Sequence, residues 1–129
     1  MTEDRYERGW ETFRTIDRGV GEQVLKDLEA IAPDMVRQII EFLYGEVWSR
    51  PGLDIKTRTI ATVAALTALG NANSQLKYFI HGSLNVGWSR EEIIEVIMHM
   101  AIYAGFPAAL NGMFAAKEVF EARDQNGES

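Results

Sequence analysis

The chain has 129 residues, 47% of them hydrophobic and 25% charged, the profile of a single globular domain spanning 1–129 rather than of a disordered segment. Its formal net charge is −6, with 13 Lys and Arg scattered among 19 acids, so it lacks the basic stripe that a nucleic acid or an anionic membrane surface requires. It has no cysteine, which excludes disulfides, thiolate nucleophiles, cysteine-bound zinc and thiol peroxidase chemistry, and which fits a reducing cytosol.

The first residues, Met1 to Arg5, are charged and lack the apolar run of a signal peptide. No uncharged stretch of about 18 apolar residues exists to span a bilayer. A cytoplasmic location is the expectation. Punctuation by Gly and Pro is dense and strand alternation is nearly absent, so an all-α fold of about six to seven helices is predicted. Tyr6, Trp10, Phe13 and Ile16 set a first helix over 4–17, ended by Gly19 and Gly21. A second, 22–31, carries Val24, Leu25, Leu28 and Ile31. Pro33 suits the first position of a third, where its missing N–H costs nothing. Met35, Val36, Ile39, Ile40, Leu43 and Val47 would share its face.

Residues 49–54 read as a turn around Pro51 and Gly52. Asp54 is a plausible N-cap for a helix over 55–69 that Gly70 closes. The next starts at Asn73 or Ser74 and ends at Gly87. Ser89 and Glu92 form a capping box that opens a helix running to about 104. Pro107 starts the last helix, which fades near Arg123 and leaves 124–129 as a frayed tail. Ile60 to Leu69 and Ile93 to Ala104 are apolar over more than one face. Such helices are buried or sit between subunits, and a homo-oligomer is expected.

Several side chains could carry chemistry. Glu46 lies at a helix C-terminus beside Tyr44 and Trp48. The negative end of the helix dipole and partial desolvation would both favour its protonated form, a general acid. A solvated glutamate at a helix end is the plainer reading. His81 shares a flank with Lys77 and Asn85, off the Leu76, Ile80, Leu84 stripe. His99 stands between Glu95 and Tyr103 in an i, i+4, i+8 row that could relay protons or be a hydrogen-bonded buried strip. Arg50, Lys56 and Arg58 flank the Pro51 turn and could clamp a carboxylate. Two histidines without HxxxH or HExxH spacing make a metal site a weak prospect.

The stretches Gly45 to Asp54, Lys56 to Arg58, Ala64 to Gly70, Gly82 to Gly87 and Ala101 to Ala109, in register and covering nearly the whole chain, resemble the carboxymuconolactone decarboxylase family. The resemblance implies the all-α fold of the alkylhydroperoxidase D proteins and a trimer or hexamer, commonly a ring-shaped hexamer. It implies loss of CO2 from a small carboxylated substrate, 4-carboxymuconolactone, in aromatic catabolism, with no cofactor and no metal. On that resemblance Glu46, His81 and His99 are the catalytic candidates, and Trp48, Arg50, Arg58 and Tyr103 the substrate-binding ones. The hydroperoxidase CxxC falls at Ala72 and Gln75, which excludes that activity. The family's usual His-x-Arg or His-x-His reads Phe79, Ile80, His81 here, so the first histidine is replaced. Two other functions stay open: proton-transfer chemistry on a different small acid or carbonyl compound, and a non-catalytic helical binding assembly.

Overall fold

A computed structural model describes the backbone of residues 2–128 and the side chains of 4–128. Among the described residues there are seven α-helices and one π-helical segment, and no strand. None of these helices is long and apolar enough to cross a membrane. The chain divides into two compact units, one ending at Ile55 and the other beginning at Lys56.

In the first unit, α1 (Thr2–Ile16) packs along a π-helical segment (Ile39–Val47) that continues α3 (Pro33–Gln38), and α2 (Val20–Glu29) packs on α3. Two glycines make the α1 contact possible. A Cβ on Gly9 would lie 1.9 Å from the Ile40 carbonyl oxygen, and one on Gly45 would lie 2.3 Å from that of Arg5. Only bare backbone fits at that separation. Around the crossing, Trp10, Phe13, Tyr44 and Trp48 form a chain of edge-on and tilted aromatic contacts with centroids 5.1–5.7 Å apart.

The π register changes how the buried stripe of the third helix continues. The sequence predicts a face of Met35, Val36, Ile39, Ile40, Leu43 and Val47; Val36 and Ile40 are buried, but the stripe they begin continues through Tyr44 and Trp48, and Met35 is exposed. Here backbone bonds run to the fifth residue rather than the fourth, as from the Trp48 N–H to the Leu43 carbonyl at 2.8 Å. A period of 3.6 cannot anticipate that drift. The turn into α2 also has an unforeseen cause: both carboxylate oxygens of Asp17 accept backbone N–H bonds, from Gly19, Gly21 and Glu22, at 2.7–3.2 Å. They satisfy amides that the start of a helix leaves open.

The second unit holds α4 (Ile55–Leu69), α5 (Asn73–Asn85), α6 (Arg90–Ala104) and α7 (Phe106–Gln125). Its core gathers Val63, Leu76, Ile80, Ile93, Ile97 and Val119 with three alanines of α7. Gly112 lets α7 meet α4 and α6, since an added Cβ would stand 2.9 Å from Thr67 Cγ2 and 3.0 Å from Ile97 Cγ2. Gly87, at φ +108°, ends α5 in a Schellman turn, its N–H bonded to the Leu84 carbonyl and that of Trp88 to Ser83. The predicted capping box follows at once, with Ser89 Oγ accepting from the Glu92 N–H at 3.0 Å and Glu92 accepting from the Ser89 N–H at 2.9 Å.

The C-terminal end departs from the expected fraying. α7 runs to Gln125 and closes in a second Schellman turn at Gly127, with the Glu128 N–H bonded to the Arg123 carbonyl at 2.7 Å. Ser129 lies outside the described residues. The broad apolar arcs predicted for this half are real. Met98, Ile102 and Tyr103 of α6 and Phe106, Leu110 and Phe114 of α7 are all exposed on the chain.

Gly9→Ala should destabilise the protein by about 1–3 kcal/mol, because the clash is with backbone and not with a side chain that can turn aside. Gly52→Ala, where an added Cβ meets nothing within 4 Å, should stay within about 0.5 kcal/mol of the parent. Urea melts of the two variants check this, and equal midpoints would contradict it.

Candidate functional site

The best-defined titratable group is His81, in the middle of α5. Its Nδ1 lies 3.1 Å from Nη1 of Arg123, on α7. The imidazole is half-buried, whereas Arg123 is only 3% exposed. Burial of the ring, and then the charge of Arg123, hold the His81 pKa below its ordinary value of 6.5, with the Glu128 carboxylate acting in the opposite sense. His81 is therefore a neutral imidazole at pH 7.

Arg123 was not anticipated as a site residue, although the sequence holds a signal for it. The buried side of α7 runs through Ala109, Gly112, Ala116 and Val119 at helical spacing, and Arg123 comes next on that stripe. A cation continuing an apolar stripe needs a partner, since a buried charge without one is costly.

The other candidates fall in different settings. His99 meets Tyr103 ring to ring at 5.4 Å. Both rings and Glu95 are exposed on the chain, with Tyr103 at 76%, so the row is not a buried strip. Glu46 departs from its expectation. The π register turns Tyr44 and Trp48 inward and leaves Glu46 exposed, with its carboxylate accepting from the Arg5 guanidinium. That pairing, with Glu41 adding to it, raises the Arg5 pKa. The carboxylate that the same register does bury is Glu41, 3.9 Å from Arg37 Nη1. Burial, followed by the nearby charge of Asp17, pushes the Tyr44 phenol far up, so it stays a neutral hydroxyl.

Trp48 and Arg50 come together in the first unit. They line one depression with Arg8, Thr12, Ser49 and Leu53. The turn is pinned there by Ser49, whose hydroxyl donates to the Tyr44 carbonyl at 2.6 Å and lies 2.8 Å from that of Thr12. Of the cations expected around Pro51, Lys56 stacks its ammonium 4.7 Å from the Trp88 ring, while the indole N–H donates to the Lys56 carbonyl at 2.7 Å. Arg58 is half-buried on the first turn of α4. Phe79, at the position of the replaced histidine, packs edge-on to Tyr78 at 5.2 Å and against the core of the second unit. Among the described residues no group of three or more His, Asp and Glu is placed to hold a metal ion.

Comparison with known proteins converges on one family. The profile described as the carboxymuconolactone decarboxylase family matches residues 33–118. The chain is 37% identical to a 4-carboxymuconolactone decarboxylase of Acinetobacter baylyi over 123 residues, 92% of this chain and 89% of that one. It is 29% identical to an uncharacterized 15.0 kDa protein of Paracoccus denitrificans, over 91% of this chain and 88% of the other. It is also 32% identical over 90 residues to a nitrosuccinic acid decarboxylase of Metarhizium robertsii, covering 70% of this chain and 62% of that enzyme.

Because folded His81 accepts a proton only below 6.5, its contribution to stability is complete above that pH. It is lost as the pH falls through the lower, folded value. An NMR titration of the His81 ring should give a midpoint under 6.5. A midpoint at or above 6.5 would show that Arg123 and burial do not act on it as described.

Proposed function

This chain belongs to the carboxymuconolactone decarboxylase family, and on that premise we propose that it removes CO2 from 4-carboxymuconolactone, giving 3-oxoadipate enol-lactone, with no cofactor. The geometry that supports this reading best is His81, a half-buried neutral imidazole held by a buried arginine.

The substrate supplies its own electron sink. Its departing carboxylate sits on the γ-carbon of an unsaturated lactone. As the C–C bond to that carboxylate breaks, the electron pair moves through the ring double bond onto the lactone carbonyl oxygen. A proton delivered to the α-carbon then restores the carbonyl and leaves the enol-lactone. The protein has to hold the spectator carboxylate, place a donor where negative charge develops, and return one proton. His81 is the proposed donor, because a neutral N–H can stabilise the developing oxyanion without a proton first being gained.

The remaining roles follow the sequence. Arg50 or Arg58 clamps the spectator carboxylate, Trp48 and Tyr103 line the substrate, and His99 is the alternative donor. Glu46 is the proposed acid at carbon, once its pairing with Arg5 is released. His81→Leu should lower kcat on the lactone about 100- to 1000-fold in a UV assay, and Glu46→Gln should lower it as well. Full turnover by His81→Leu would remove the donor from the mechanism, and full turnover by Glu46→Gln would remove the acid.

A second reading keeps the chemistry and changes the substrate. Phe79 replaces a histidine that the family resemblance leads one to expect, and phenylalanine cannot transfer a proton. The Metarhizium robertsii relative is named for decarboxylating nitrosuccinic acid, a substrate whose nitro group can also accept the electron pair. Both reactions ask for a donor at the sink and for no metal. Turnover of nitrosuccinate without turnover of the lactone would favour this reading.

We also propose a cytoplasmic homo-oligomer, trimer or hexamer, held through the apolar face of α6 and α7. Six large apolar side chains exposed on two consecutive helices, Met98 to Phe114, exceed the scattered apolar surface usual for a monomer. Phe106→Glu combined with Phe114→Glu should shift sedimentation toward the 14.5 kDa chain. A parent protein that already sediments as a monomer would overturn the proposal.

A further inference from the structure

We infer that Arg123 is a positioning residue, which fixes the proton of His81 on Nε2 by occupying Nδ1 as a donor. The inference rests on the reading of His81 as the donor in the reaction, and its physical basis is separate from that reading.

A guanidinium has five N–H donors and no acceptor, and it does not deprotonate in proteins. A contact of 3.1 Å from its Nη1 to Nδ1 is therefore a hydrogen bond in only one sense, with Nδ1 as the acceptor. A neutral imidazole carries one ring proton. With Nδ1 accepting, that proton is on Nε2. The two other states are disfavoured by the same contact. A proton on Nδ1 would point at an N–H that cannot accept it. A doubly protonated ring would set two cations 3.1 Å apart beside a guanidinium that is 3% exposed.

The surroundings hold Arg123 in place. It sits in the last turn of α7, where a cation meets the negative end of the helix dipole. The Schellman turn that follows bonds the Glu128 N–H to the Arg123 carbonyl at 2.7 Å, so the helix end carrying the guanidinium is closed and not frayed. One turn before His81 on α5, Lys77 is paired with Glu118 of α7. This tie joins the same two helices and fixes their register close to the Arg123 contact.

The consequence is chemical. Nε2–H is left as the one ring donor. It can hydrogen-bond an oxygen that gains charge, while Nδ1 is withheld from substrate. Without Arg123 the ring would divide between two tautomers, and only one would present the donor correctly.

The test uses the ring nitrogens. The chain has two histidines, so His99→Gln leaves His81 as the single imidazole in a 15N-labelled sample. In that background a long-range proton–nitrogen correlation should show a pyridine-type Nδ1 and a pyrrole-type Nε2. Arg123→Met should bring the two nitrogen signals toward averaged positions and, assayed with His99 intact, lower kcat about tenfold or more with KM little changed. Arg123→Lys, which keeps a cationic donor without an acceptor, should restore the Nε2–H pattern and part of kcat. A pyrrole-type Nδ1 in the protein with Arg123 intact would overturn the inference even if Arg123→Met failed to fold. The same would follow from an unchanged tautomer in folded Arg123→Met. The predicted tautomer, with no decarboxylation of the lactone by the protein with His99 intact, would instead retire the functional reading and leave the role of Arg123 standing.

Discussion

The state of His81 depends on an asymmetry of the guanidinium, which donates hydrogen bonds and never accepts them. Placed against one nitrogen of a half-buried ring, it determines both where the ring proton sits and how readily a second one is taken up. The rest of the second unit serves that contact. Small residues along α7 let the helix approach its neighbours, Gly112 among them, and the buried side that they form delivers Arg123 to α5. The turns closing α5 and α7 at Gly87 and Gly127 satisfy carbonyl groups that would otherwise be left open at both helix ends. A neutral donor suits a reaction whose substrate already carries its electron sink, since the protein then has to stabilise charge and return a proton but supply no electrophile of its own.

The first unit follows a different constraint, the approach of two backbones. Gly9 and Gly45 bring α1 and the π-helical segment so close that a methyl group on either would strike a carbonyl oxygen. In return the segment takes a wider register, which carries Tyr44 and Trp48 inward and Glu46 outward. The depression containing Trp48 and Arg50 is a product of that register, because Trp48 ends the buried stripe and Arg50 begins the turn. Gly9→Ala is thus a probe of the register as well as of stability.

Much of the fold is legible in the sequence because local chemistry marks its boundaries. Pro33, Gly70, Gly87, Ser89 with Glu92, and Pro107 act at helix ends through dihedral limits and capping bonds that depend on a few adjacent residues. The π-helical segment was not legible, because its register is set by the close packing of α1. The role of Asp17 is hidden in the sequence because glycines at 19 and 21 read as breaks, while the amides there are satisfied by a carboxylate two to five residues earlier. For the site, the choice between two histidines could not be made from spacing. Each lies on a polar flank of its helix, and only the partner across α5 and α7 separates His81 from the exposed His99. The exposed aromatic and aliphatic side chains of α6 and α7 were foreshadowed by arcs too wide for one face.

In the proposed reaction His81 presents a neutral Nε2–H to a lactone oxygen. This contact is tested most directly by adding the saturated analogue of 4-carboxymuconolactone, which lacks the conjugated sink and so binds without losing CO2, while the His81 ring is followed by proton–nitrogen NMR. The His81 Nε2–H resonance should shift saturably, with Nδ1 remaining pyridine-type. A His81 signal that stays still while the analogue binds, or that responds through a protonated Nδ1, would contradict it.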